Sequence, residues 1–94
     1  MPVGALTLEL RLPRCASLKE KRGRLKPLLA ALHREFNLSA AEVGENDHHT
    51  LAVVACVIVS NEKAHVERVL TKIPAWIEGN RPDVQVIDQQ LTFL

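Results

Sequence analysis

Between Leu51 and Val59 the chain reads Leu-Ala-Val-Val-Ala-Cys-Val-Ile-Val, nine residues without one polar side chain. A strand of this kind is apolar on both faces and belongs at the centre of a sheet, with other elements beside and above it. It is also less than half of the about 20 apolar residues that a bilayer-spanning helix needs, which excludes a membrane helix here. A chain of 94 residues holds one core of ordinary size and no second. Its remaining segments therefore have to fold around this strand as one domain over residues 1–94.

The flanking segments alternate in period. Val3 to Leu12 places Leu6, Leu8, Leu10 and Leu12 on one side and Thr7, Glu9 and Arg11 on the other, a half-buried strand ended by Pro13. Ser17-Leu18-Lys19-Glu20 has the form of a capping box, and Leu18, Leu25, Leu28, Leu29, Leu32 and Phe36 make one apolar stripe, so a helix is expected from Ser17 to about Phe36. Pro27 lies inside it and points, with Gly23, away from the stripe. A shorter helix opening at Pro27 is the competing reading. Asn37 to Glu45 reads as an edge strand, followed by turn residues Gly44 to Asp47, and Thr50 to Val59 as the central strand. One second helix is expected after Ser60-Asn61-Glu62, with Val66, Val69, Leu70, Ile73, Trp76 and Ile77 as its stripe and Gly79 to Pro82 as its stop. Val84 to Leu94 closes the chain as a strand with Ile87, Leu91 and Phe93 on one face and Asp88, Gln90 and Thr92 on the other.

Strand, helix, strand, strand, helix, strand is the order of an α+β, ferredoxin-like βαββαβ sandwich. Its sheet has four antiparallel strands, the first and third central, with both helices on one face. The other face is open. One parity of the central strand, either Leu51, Val53, Ala55, Val57 and Val59 or Ala52, Val54, Cys56 and Ile58, must lie there. An apolar strip on an open face suits a homodimeric small-ligand or regulatory module, while flanking by Thr7, Glu9 and Arg11 suits an ordinary mixed surface.

The net charge of +1 hides a strong asymmetry. Residues 11–34 carry eight basic side chains and one acidic, Glu20, a local balance of +7; residues 35–94 carry four basic and nine acidic, a balance of −5. Lys19, Arg22, Lys26 and His33 share one flank of the first helix, a row able to track a phosphate backbone. Arg14, Lys19, Lys21, Arg22, Arg24 and Lys26 are the expected nucleic-acid contacts. The same residues also fit a plain solvated face whose aliphatic stems cover the core edge, and the pI of 7.9 is low for a nucleic-acid-binding domain. Phe36, Trp76 and Phe93 are the only aromatic residues among Phe, Trp and Tyr, too few for a sheet that stacks bases.

No catalytic constellation is recognisable, and no catalytic residue, metal or cofactor is assigned. Asp47-His48-His49 and the distant His65 have no metal-ligand spacing. Glycine-rich phosphate loops, nucleophile elbows and two-cysteine redox motifs are absent; the first loop reads Pro13-Arg14-Cys15-Ala16. Cys15 and Cys56 stand 41 residues apart, and the N-terminal residues lack the order of a secretory signal. Reduced thiols in a cytoplasmic setting are expected.

Ser17-Leu18-Lys19-Glu20-Lys21-Arg22, then Ala41-Glu42-Val43-Gly44, then Val59-Ser60-Asn61 before His65-Val66-Glu67, resembles the YlxP-like family of small bacterial proteins of unknown function. The resemblance covers nearly the whole chain. It implies a ferredoxin-like fold in a cytoplasmic bacterial protein. Members are often encoded beside transcription-antitermination, translation-initiation and ribosome-maturation factors, which inclines the expectation toward a non-enzymatic RNA- or ribosome-associated binding protein. One departure follows Gly44, where the family usually has an acidic residue, an aromatic and a glutamine; this chain has Asp47-His48-His49-Thr50, with His49 as a smaller planar group.

Overall fold

The computed structural model describes residues Met1–Leu94. Its elements are β1 (Val3–Arg11), α1 (Leu18–Phe36), β2 (Ser39–Gly44), β3 (Leu51–Val59), α2 (Lys63–Thr71), α3 (Ile73–Asn80) and β4 (Gln85–Phe93). The strands form one antiparallel sheet in the order β2-β3-β1-β4, so the two most apolar strands are the central ones. This is the expected α+β sandwich.

Central pairing sets Leu6 opposite Cys56, Leu8 opposite Val54 and Leu10 opposite Ala52, and all six side chains are buried. They meet Leu25, Leu28 and Leu32 of α1, Val66 and Leu70 of α2, and Ile73 and Ile77 of α3 in one cluster. Each such aliphatic side chain contributes about 1.5–3 kcal/mol when fully removed from water. The parity that faces the helices is thus Ala52, Val54, Cys56 and Ile58, and the other parity of β3 lies on the open face.

α1 runs unbroken through Pro27, which excludes the shorter helix. Ser17 caps it, its Oγ accepting from Glu20 N–H at 3.0 Å, while Glu20 Oε2 accepts from Ala16 N–H at 3.3 Å. Both halves of the capping exchange are present, the return bond reaching one residue further upstream than a capping box has it. Asn37 ends the helix in the left-handed region with φ 52°.

Two expectations need correction. The second helix is two helices, because Pro74 has no N–H to return to the Leu70 carbonyl; the chain tightens at Lys72, whose N–H donates to Val69 O at 3.2 Å, and resumes as α3. The apolar stripe survives the break, with Val66, Leu70, Ile73 and Ile77 all buried. In β4 the register slips: Asp88 stands opposite Glu9 but Val86 opposite Leu10, leaving Ile87 as an inserted residue. Val86 takes the place on the core with Leu91 and Phe93, and Ile87, expected to share their face, is 41% exposed.

No helix is long and apolar enough to cross a membrane. Gly4 shows how closely α2 lies on the sheet: a Cβ there would overlap the Val66 side chain and stand 2.9 Å from Leu70 Cδ1. Gly4→Ala is therefore expected to destabilise the protein by about 1–3 kcal/mol through overpacking. A lowered urea midpoint with unchanged slope is the readout, and an unchanged midpoint would contradict this packing.

Candidate nucleic-acid interface

Lys19, Arg22 and Lys26 follow one another at spacings of three and four on α1, within an arc of about 60° at 100° per residue. They are exposed, and none takes part in an ion pair. Together with Gly23, Leu25, Pro27 and Leu29 they form one wall of a groove of about 520 Å³, and Glu42 of β2 contributes to the other. Arg14 is exposed in the β1–α1 loop, with φ 58°. Four of the six expected contacts are thus at the surface.

The other two are structural. Lys21 is 1% exposed. Its Nζ lies 2.6 Å from Glu45 O, 2.7 Å from His48 O and 2.7 Å from Glu42 Oε2, an oxygen with no hydrogen-bond partner of its own besides this ion pair. Three N–H donors meet three acceptors, so nothing remains for a phosphate. Arg24 is 20% exposed on its side chain and bridges two loops. It donates to Pro13 O at 3.0 Å, Asp83 O at 3.3 Å and Glu20 Oε2 at 2.9 Å. The Cys15 thiol, the Ala16 N–H and Arg24 together hold the Glu20 carboxyl below its ordinary range, the thiol contact first among them.

This arrangement changes the electrostatics of the groove. Glu42 is the one carboxylate lining it, and its charge is already met by Lys21 from below. Lys19, Arg22 and Lys26 are then left as an uncompensated row. His33, the fourth member of the flank, is turned to the backbone, with Nδ1 2.6 Å from Leu38 O.

Elsewhere the chemistry is sparse. His48 Nδ1 lies 3.3 Å from Thr50 N and 3.2 Å from Thr50 Oγ1, its ring is 6.1 Å from that of His49, and no three His, Cys, Asp or Glu side chains converge as metal ligands do. Cys15 and Cys56 are both free and buried; burial pushes both thiols up, Cys56 to about 11. Phe36 and Trp76 pack edge to face, 5.4 Å between ring centres, and Phe93 carries Lys63 Nζ 4.7 Å above its ring. All three rings pack against the core, not out on the open sheet.

A family model described as "Protein of unknown function (DUF503)" matches residues 3–91. The chain is also similar to "Uncharacterized protein YlxP" of Bacillus subtilis (strain 168), with 33% identity over 63 residues, 67% of this chain and 68% of that protein.

The buried ammonium is directly testable. Lys21→Met leaves Glu42 and two carbonyls without their donor and is expected to cost about 2–4 kcal/mol, below a fully buried pair because the Glu42 side chain is 19% exposed. Lys19→Met, on the solvent side, is expected to stay within about 0.5 kcal/mol of the parent. Equal melting temperatures for the two variants would refute the assignment of Lys21 as a structural tie.

Proposed function

Since the chain belongs to the DUF503 family of proteins of unknown function, membership brings no activity with it, and we propose from the groove that this is a non-enzymatic RNA- or ribosome-associated binding protein. It contacts phosphates through Lys19, Arg22 and Lys26, with Arg14 at the neighbouring loop. One observation carries the reading: three unpaired cations line a single groove whose only carboxylate is already neutralised from beneath. Along the helix axis Lys19 and Lys26 are about 10 Å apart, at about 1.5 Å per residue. With no aromatic side chain presented to stack on bases, recognition runs through backbone and shape and is weakly selective for sequence.

Four phosphate contacts would make log K fall with log salt at a slope of about −3 to −4. Replacing Lys19, Arg22 and Lys26 together by Ala is expected to abolish low-salt binding to structured RNA and to ribosomal subunits, and each single replacement to flatten the slope by about 1. Absence of binding at low salt, or full binding by the triple variant, would remove this reading.

A second reading has its own observation. On the open face Leu51, Val53, Ala55, Val3 and Ala5 are half-buried, and Val57 and Val59 are exposed, Val59 by 57%. A second copy of the chain is the occupant that fits: four strands at about 4.8 Å and up to nine residues at about 3.3 Å make a face of roughly 500–600 Å². Two such faces reach about 1,000–1,200 Å², the lower limit for a specific interface. A weak, concentration-dependent dimer that Val57→Lys prevents is the expected result in sedimentation. A monomer at every concentration would remove this second reading and leave the groove untouched.

A further inference from the structure

Gly23 and Pro27 are the two poorest helix formers in α1, and both line the groove beside the cations. Packing does not require the glycine. A Cβ at residue 23 would meet nothing within 4 Å beyond its chain neighbours and its own helix backbone, and Pro27 is exposed. Their spacing is what matters chemically. Pro27 stands four residues after Gly23 and has no N–H, so the Gly23 carbonyl loses the donor that a regular helix would supply. With no side chain on residue 23, backbone atoms are what that position contributes to the groove lining. The groove therefore combines cations on Lys19, Arg22 and Lys26 with one backbone acceptor beside them.

A ligand matching this set has phosphate oxygens and, within the same repeat, a hydroxyl that can donate. Of the two nucleic acids only RNA carries such a group along its backbone, the ribose 2′-OH, which acts as both donor and acceptor. We infer that the Gly23 carbonyl, freed by Pro27, accepts a hydrogen bond from a ribose 2′-OH and gives the groove its preference for RNA over DNA. This rests on the backbone-binding reading above and adds to it the element that discriminates the sugar.

The test compares a short unstructured RNA with DNA of the same sequence and with its 2′-O-methyl form, on the parent protein and on Pro27→Ala. The parent is expected to bind RNA about 2- to 10-fold more tightly than DNA, the value of one net hydrogen bond. The 2′-O-methyl strand, which keeps the ribose but lacks the donor, should bind as weakly as DNA. Pro27→Ala returns an N–H to the Gly23 carbonyl and is expected to be folded, at least as heat-stable as the parent, and nearly indifferent between RNA and DNA, with its salt slope unchanged. Equal, salt-dependent binding of RNA and DNA by the parent would overturn this inference while leaving the backbone reading in place. So would a 2′-O-methyl strand bound as tightly as RNA, or a preference that persists in Pro27→Ala. No binding of any strand at low salt would overturn this inference, and absence of structured-RNA and ribosomal-subunit binding as well would end both.

Discussion

One ammonium group ties the first helix to the edge of the sheet. Placing Lys21 Nζ out of water costs several kcal/mol, and it is stable there because every N–H has an acceptor and one acceptor carries a full negative charge. The geometry it imposes is specific. Two of its partners, Glu45 O and His48 O, belong to the turn between β2 and β3, which is itself closed by His48 N–H donating to Glu45 O at 3.0 Å. The third, Glu42, is on β2 just before the irregularity at Val43. A strand of six residues at the sheet edge, with small side chains, has little apolar area with which to hold itself against α1. The ion pair and the two carbonyl contacts supply that attachment, and the groove exists only where α1 and β2 are held at this distance.

The same contact decides the charge of the groove. Had Lys21 pointed to solvent, as a cation on a basic helix would ordinarily do, Glu42 would stand unpaired among Lys19, Arg22 and Lys26 and would repel an anion. With Lys21 beneath it, the carboxylate is spent on structure. Arg24 works similarly on the other flank, where Glu20 and Asp83 absorb its charge. The six-residue basic set thus separates into cations that hold loops and cations that face water. The second group is not placed for helix stability, since Lys19 in the first turn opposes the macrodipole by about 0.3–1 kcal/mol.

Much of this was legible in the chain and some was not, for identifiable reasons. The two-sided apolarity of Leu51–Val59 and the alternation of Leu6 to Leu12 led directly to the central pair β3 and β1. The two bulges were invisible, because a single inserted residue changes parity without changing composition: alternation groups Ile87 with Leu91 and Phe93, whereas Val86 is the residue that joins them on the core. The stripe from Val66 to Ile77 runs through Pro74 without interruption, because a stripe records which face is buried and is blind to a missing N–H. Lys21 was the most instructive. At spacings of four, seven and eleven from Leu25, Leu28 and Leu32 it lies on the apolar stripe itself, so the helical wheel already placed it inward. What the wheel could not provide was the partner, since Glu42, Glu45 and His48 are more than twenty residues away and converge only through the hairpin.

Aromatic poverty bears on the remaining choice between the open sheet and the groove. Sheets of this topology that read single-stranded RNA do so with exposed rings that stack bases. Here Phe36 and Trp76 are used against each other between α1 and α3, Phe93 packs at the end of β4, and the open face offers aliphatic side chains with Glu9, Arg11 and Asp88 around them. Such a face has neither stacking surface nor a net positive field, so it suits apolar association better than a polyanion. The groove differs in its charge, with Lys19, Arg22 and Lys26 set beside the apolar surface of Leu25, Pro27 and Leu29. On the proposed reading a nucleic acid in this groove is held by its charged backbone, and that limits any sequence preference to what the shape of the strand itself conveys.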